Sequence, residues 1–551
     1  MRKAILVLFF LISLVFVFAA PGEVIPYGDS FYDDIDTLFI LNGQTIPSAS
    51  RPWTKAEARN ELAKLDRDSL DSRLTGLLAR VESVIEDGAS SELKLEIALA
   101  PQVYIHTNEE FSNEDLWIFD YNRRSPFLTG SLDAYSGGFA SHTELSLGMG
   151  RVTASDVDNA DELIRLDSFP VDVSGRPRVT TSEIYSVLIR FNLPLGSGFR
   201  DSEVQTPRTA WITYSWKNGS IGVYKSKKSW GETALGNFVY DPHVSTYNYL
   251  SLKVFNSIFS FDYSIMAPYS YLGGSANSYE MQYPRLFLSH RLQAQISRRF
   301  SVAASENVMY WLRDGLESAF INPALIYHNN IENNIFNALA HVELEYVPVN
   351  GMRVYFQFGL DQGSVPLFEK PEDEDQAMGF LFGAHYMCLT EKGIADAFLE
   401  AAYVTPAMYR RGAQCPDFIL ADLTVVNDGS YTMVPILTFM GFPYGGDMFA
   451  VKAGAGYRAG SLGVSASAAY ILHGEQSAYA NVEGRTGFAL TGNPSSSVLV
   501  EIETKYSLTL FDRLPANLSA SVAGVFNEKV GFDLQIAVGF STSYGLSILE
   551  K

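Results

Sequence analysis

Residues 335–362 read IFNALAHVELEYVPVNGMRVYFQFGLDQ. From Phe336 to Tyr346 the even positions hold Phe, Ala, Ala, Val, Leu and Tyr, while Asn337, His341, Glu343 and Glu345 fall on odd ones. After Val347-Pro348-Val349-Asn350-Gly351 the alternation resumes, with Met352, Val354, Phe356, Phe358 and Leu360 set against Arg353, Tyr355, Gln357, Gly359 and Asp361. A period of two places one apolar and one polar face on each strand, so the stretch predicts an amphipathic hairpin. Pairing Val347 with Gly351 sets Glu345 opposite Arg353 and Glu343 opposite Tyr355, where opposite charges can interact across strands. In a soluble sandwich the apolar face is the core; in a membrane barrel it meets lipid and the polar face lines the lumen.

Connection lengths decide between the two. Strand-like stretches run from 94–104 through 531–541. Short links fall at 218–219, 256–257, 298–299, 348–350 and 390–395, and long ones at 194–207, 226–247, 266–283, 312–334, 362–376 and 405–430. Short and long alternate, so the long loops emerge on one side, as in outer-membrane barrels. The predicted fold is therefore an all-β transmembrane, antiparallel barrel of about 18 to 20 strands. Further strands are read at 431–439 and 482–490. The residues expected to line the lumen include Arg291, Glu306, Glu343, Glu345, Arg353, Tyr355 and Gln357, with Phe356 and Phe358 toward lipid. A turn at Arg298-Arg299 sets Arg291 opposite Glu306 as a lumenal pair. It also strands Ser301, Ser305 and Asn307 on the lipid side, which calls for a bulge. Asn218-Gly219 reads as a two-residue turn pairing Trp216 with Ile221 and Tyr214 with Val223.

The prefix differs. Residues 1–19 read as a secretory signal, with Arg2 and Lys3 ahead of an apolar run that closes on Val17-Phe18-Ala19. Residues 20–90 are helical, with the barrel at 91–551. Ser30 caps a helix to Leu41, Thr54-Lys55-Ala56-Glu57 is a capping box, and Leu70 to Ile85 carry a leucine stripe. This predicts a helical bundle on the periplasmic side. Of the 551 residues, 47% are hydrophobic and only 19% charged, which argues against disorder. The net charge of −21, without a basic stripe, makes nucleic acid a poor partner. Cys388 and Cys415 fall at opposite ends of one hairpin, which argues against their pairing. No residue spacing suggests a metal or other cofactor.

The segment SRPWTKAEARNEL, its leucine-striped helix and the strands beyond resemble the capsule-assembly Wzi family of outer-membrane proteins. The Asn218-Gly219 hairpin leading to Tyr224 and Trp230-Gly231 is similar to that family, as are RLFLSHRL, Glu306, Ile321-Asn322-Pro323 and the hairpin ending at Asp361. The resemblance implies an 18-stranded monomeric barrel with periplasmic helices. It also implies a lectin-like role in holding capsular polysaccharide at the surface, beside outer-membrane lipid and lipopolysaccharide. No sugar-contacting position is carried over from it.

A sugar site needs aromatic faces and planar polar groups. Trp230, Tyr269, Tyr271, Trp311, Arg313 and Tyr327 are the main carbohydrate-binding candidates, with Tyr247, Tyr279, Asn322 and His328 beside them. The competing use of such rings is an aromatic girdle at the membrane surface. The acidic run Glu369–Asp375 is read as a solvated loop or a divalent-cation contact. Ser141-His142 and Ser289-His290 are adjacent in strands and point apart, so no nucleophilic dyad forms and no enzyme is expected. His290 with Ser305 is the one cross-hairpin pairing left. The functions in play are polysaccharide binding and a diffusion channel for sugars or other small solutes.

Overall fold

The computed structural model describes residues 21–86, 91–108, 116–118, 120–150, 189–193, 202–268, 284–312, 315, 321–327, 336–362, 376–410, 416–427, 431–476, 487–511 and 513–550. Among the described residues three α-helices precede the barrel: α1 (Ser30–Leu41), α2 (Lys55–Leu62) and α3 (Thr75–Ile85). The barrel then begins with β1 (Ser91–Leu99, resuming at Gln102–His106), β2 (Leu128–Ser136), β3 (Phe139–Met149), β4 (Ser202–Trp216), β5 (Gly219–Ser226) and β6 (Tyr247–Phe255). It continues through β7 (Phe259–Met266), β8 (Arg285–Ser297), β9 (Phe300–Trp311), β10 (Phe336–Tyr346), β11 (Met352–Gln362) and β12 (Ala377–Leu389). The last third is β13 (Ile394–Val404), β14 (Met448–Ala459), β15 (Leu462–His473), β16 (Ser495–Leu510), β17 (Leu514–Asn527) and β18 (Gly531–Glu550). Every neighbouring pair is antiparallel, and β18 closes on β1 with Thr542 opposite Leu99, giving 18 strands.

Side-chain alternation follows the sequence pattern. On β18, Phe532 and Val538 face outward and stay more than half exposed, while Asp533 and Gln535 point inward and are buried. On β16 the outward face is Val498, Val500, Ile502 and Tyr506. This apolar exterior, with a polar interior, is the arrangement of a barrel whose solvent is lipid. Among the described residues no helix is long and apolar enough to cross a membrane.

Several registers depart from the expectation. In the opening hairpin Glu345 lies opposite Tyr355 and Glu343 opposite Gln357, because pairing starts at Tyr346 with Val354 and leaves residues 347–353 as the link. The faces are unchanged, since a shift of two keeps parity. In β4–β5 the turn is Lys217-Asn218, so Trp216 opposes Gly219 and Tyr214 opposes Ile221. A bulge between Gln295 and Ser297 turns Ser301, Ser305 and Asn307 inward, where all three are buried. The same shift sets His290, not Arg291, opposite Glu306. Glu306 therefore lies on the outer face and is not a lumen residue.

The stretch 431–439 is not a barrel strand. It pairs with Ile419–Asn427 as a separate hairpin inside the long link from β13 to β14. Residues 487–490 carry no strand, and the rest of the 482–490 stretch lies outside the described residues. β18 runs on to Glu550 instead of stopping near 541, because its second half is what closes the barrel on β1.

The helices pack at the short-turn rim, the periplasmic side of such a barrel. Asp29, rather than Ser30, caps α1 through its side chain, and Thr54 caps α2 by accepting from the Glu57 amide at 3.3 Å. Phe31, Tyr32 and Trp53 form an edge-to-face aromatic knot in the bundle core. The bundle is fastened to the rim where the Gly351 amide donates to Ile40 O at 2.8 Å, and Leu389 and Ile394 pack on its apolar face.

Candidate functional site

After α1 the chain turns into the barrel. Residues 45–50 climb the inner face of β8, meeting it at alternate residues. Gln295 donates to the Thr45 hydroxyl at 2.6 Å, Gln293 donates to Pro47 O at 3.2 Å, and the Ala49 amide donates back to Gln293 at 3.3 Å. Two strands along the same wall, on β10, Glu345 accepts from the Ile46 amide at 2.7 Å. From the opposite end the 227–246 loop folds inward. The two segments meet in mid-lumen, where Ser50 and Arg51 pair with Trp230 and Ser229 as a two-residue ladder.

Asp262 of β7 holds this meeting point. One carboxylate oxygen accepts from the Ser50 hydroxyl at 2.6 Å, Lys228 Nζ at 2.7 Å and Trp230 Nε1 at 3.0 Å. The other accepts from the Ser251 hydroxyl at 2.9 Å. Wall, N-terminal segment and loop thus share one buried anion. Beside it Lys253 Nζ donates to Ser50 O at 2.8 Å, Pro52 O at 2.9 Å and Glu57 at 3.0 Å. Arg51 bridges Asp36 at 2.6 Å and Glu232 at 3.0 Å, with its guanidinium over the Tyr32 ring. Buried charges persist only when paired and hydrogen-bonded in this way.

Burial moves the protonation equilibria of the inserted groups. Desolvation pushes Glu57 up to about 7 against the pull of Lys253. Desolvation likewise pushes Glu232 up to about 7 against Arg51. Lys228 is pushed down to about 8 by burial, with Asp262 opposing.

The expected lumen set lies mostly on this inner wall. Arg291 forms a fork with Glu343, Nε to Oε1 at 2.8 Å and Nη2 to Oε2 at 3.0 Å. Arg353 reaches Glu345 diagonally at 3.3 Å and donates to Glu232 O at 3.0 Å. Gln357 donates to Asn237 at 2.9 Å, and Tyr355 donates to Glu400. Glu400 in turn accepts the amides of Ala234 and Leu235, each at 2.7 Å. The wall therefore grips the backbone of the inserted loop.

Glu306 has a different role outside. It accepts from the Tyr327 amide at 2.9 Å and lies 3.4 Å from His290, whose ring stacks on Tyr327. Residues 321–327 so form a strap along the outer wall, with Tyr263 donating to Ile321 O at 3.0 Å.

The aromatic candidates that are described sit inside packing. Trp230 and Tyr327 are fully buried, and Tyr247 and Trp311 nearly so, with no ring face open to solvent; Asn322 is exposed. Tyr269, Tyr271, Tyr279, Arg313 and His328 lie outside the described residues, as do Cys415 and the Glu369–Asp375 run. Cys388 is a free thiol. His142 bridges Asp133 at 2.6 Å and Thr209 at 3.1 Å while its ring stacks on Trp211, which ties three strands together. Asp262, Lys253, Lys228, Arg51 and Glu400 escaped the sequence reading. Asp262 stands on a visible polar face, Ser260-Asp262-Ser264, but its partners lie up to 212 residues away.

The outer mouth is filled as well. Phe238, Tyr240, Tyr409, Phe418, Phe439 and Phe442 pack together from the 227–246 loop and the link between β13 and β14. Fold and interior together define a class: an 18-stranded barrel of the outer-membrane type whose lumen is occupied from both ends. The fold is similar to that of Wzi from Escherichia coli, described as an outer-membrane protein involved in group 1 capsule assembly and a carbohydrate-binding β-barrel. The two share 10% identity over 96% of this chain and 100% of that one, with a TM-score of 0.57. Acinetobacter baumannii OccAB4 aligns at 8% identity over 83% of this chain and 98% of its own, with a TM-score of 0.41. Pseudomonas aeruginosa OccK5 aligns at 8% identity over 84% and 99%, also at 0.41. No protein-family model matches the chain, and no curated protein matches it in sequence.

Proposed function

We propose that this chain is a non-enzymatic outer-membrane barrel that binds or anchors surface polysaccharide. The observation that carries the reading is the meeting of residues 50–51 with 229–230 across the lumen. A diffusion channel needs a continuous aqueous path. Here the axis is crossed by a hydrogen-bonded, charge-paired ladder with an aromatic cluster beyond it. The shared fold with a carbohydrate-binding barrel supports the same reading. On this view residues 1–19 are a cleaved export signal, residues 20–90 stay in the periplasm, and the 91–551 barrel works as a monomer among lipid and lipopolysaccharide. Of the sugar candidates, Tyr269, Tyr271 and Arg313 are the ones proposed to contact the polymer.

Planar-bilayer conductance of the full-length protein tests this. The expected result is no steady conductance, together with retention of the protein on surface polysaccharide. A large steady conductance with no retention would replace the reading by the diffusion channel.

A further inference from the structure

The outward face of β8 changes character halfway up. Toward the short-turn rim Leu292 and Ile296 are 50% and 62% exposed, but Leu286 and Leu288 above them are buried. On β9 Val308 and Tyr310 are buried on the same outward face. Their cover is the 321–327 strap, where Tyr327 joins these four side chains and Phe336 in one apolar cluster with Leu325 beside it. On β16, by contrast, outward-facing Val498, Val500, Ile502 and Tyr506 are all exposed.

Strand geometry gives the depth of the strap. A barrel strand tilted by roughly 40° climbs about 2.5 Å along the membrane normal per residue. Glu306 stands six residues above Phe300, where β9 leaves the rim. That places it about 15 Å up, in the outer half of an apolar band roughly 25 Å tall. His290 is level with it across the hairpin, 3.4 Å away. Ionisable groups on the lipid side at that depth persist only when covered and paired.

The strap is built for dry surroundings. Pro323 has no N–H to satisfy. The Ala324 amide donates to Asn322 Oδ1 at 3.1 Å, the Leu325 amide to Asn322 O at 3.1 Å and the Tyr327 amide to Glu306 at 2.9 Å. Ile321 O accepts from the Tyr263 hydroxyl at 3.0 Å, and Asn322 O accepts from the Tyr327 hydroxyl at 3.2 Å. Irregular backbone is tolerated at membrane depth only where protein groups satisfy it. The side turned away from the wall is apolar: Ile326 is 61% exposed and Ile321 42%, with Ala324 exposed between them. Exposed isoleucines alone decide nothing. Beside satisfied amides at this depth they continue the lipid-facing wall.

We propose that residues 321–327 are embedded in the outer leaflet, with Ile321, Ala324 and Ile326 against acyl chains. His290 and Glu306 are then the covered pair that holds the strap's backbone at that depth. The lipid surface of the barrel on this side is thus made by a connecting segment laid over the strands. Neither reading of the lumen bears on it.

The test is fluorescence quenching of the full-length protein in phosphatidylcholine vesicles, with a bimane label on Ile326→Cys, Ile321→Cys or Ala324→Cys in a Cys388→Ser, Cys415→Ser background. Val500→Cys gives the lipid reference and Arg73→Cys, on the exposed face of the bundle, the aqueous one. Heat-modified gel mobility selects the variants that fold, and any one strap position suffices. Lipid brominated at mid-chain is expected to quench the strap label to within about twofold of Val500→Cys, as on the rest of the apolar band. Aqueous iodide should quench it at least roughly fivefold less than Arg73→Cys, since the hydrocarbon holds no water. Adding Glu306→Ala should raise the access of iodide. Iodide quenching equal to that of Arg73→Cys would place the strap above the bilayer and overturn the proposal. Shielding from both quenchers would mean that protein, such as a second copy of the chain, covers it, and would overturn lipid as the partner. Unchanged quenching with Glu306→Ala would overturn the role given to the ion pair.

Discussion

Lys253 of the barrel wall and Glu57 of α2 form an ion pair at 3.0 Å, both nearly fully buried. Their contact ties the N-terminal unit to β6 from inside the barrel. The same ammonium holds Ser50 O and Pro52 O, so one side chain fixes the path of the segment that enters the lumen.

Removing one partner of such a pair leaves the other buried and unpaired, at a cost of about 3–5 kcal/mol. Lys253→Met is expected to loosen residues 45–54, read as lost amide protection in hydrogen exchange and as intermittent conductance. The double variant Lys253→Met, Glu57→Gln should recover much of that loss. Equal protection in the single variant and the parent would refute the role given to Lys253.

Docking of this segment should depend on pH. Glu57 and Glu232 have folded pKa values of about 7, above the usual carboxyl value of 4.5. A raised pKa means the folded state binds more protons, so the contribution is fully present below about 4.5 and is lost as pH rises through about 7. Lys228, lowered to about 8, is charged in both states below about 7 and adds no slope there. Amide protection of residues 45–54, corrected for intrinsic exchange, should rise from pH 7 to pH 5, where of these groups only the two glutamates set the slope. Glu57→Gln should flatten that response; protection that falls over the same interval would contradict the assignment.

Asp262 neutralises Lys228 and also accepts from Ser50 and Trp230. Asp262→Asn should destabilise the lumen contacts more than Ser251→Ala, which removes one hydroxyl-to-carboxylate hydrogen bond worth about 1.5–3 kcal/mol. Trp230→Ala should cost about 3–5 kcal/mol by leaving a cavity. Thermal midpoints followed by gel mobility would rank the three. Trp230→Ala matching the parent would mean the ring is not the packed centre of the lumen.

On the outer wall, Glu306→Ala should free the 321–327 strap by removing the acceptor for the Tyr327 amide. In nanodiscs this should appear as faster protease cleavage within 321–327, with barrel mobility unchanged. Unaltered cleavage would show that the apolar contacts of Tyr327 with Leu286, Leu288 and Val308 suffice.

Most of the wall was legible in the chain. Alternation fixes which residues share a face, and the rhythm of short and long links fixes that a barrel closes, because both arise from local geometry. The faces of Glu345, Arg353 and Phe356 followed directly. Glu306 did not, because one extra residue at the Gln295–Ser297 bulge shifts the pairing of β8 with β9 and reverses the faces read for β9, and a bulge depends on neighbouring strands. What fills the lumen was not legible. Ser50, Trp230 and Asp262 lie far apart in sequence, and no periodicity encodes which loop folds inward. Only the closed barrel brings them together and leaves Asp262 a buried charge that must find donors. Local pattern thus determined the cylinder; the tertiary structure decided that it is filled.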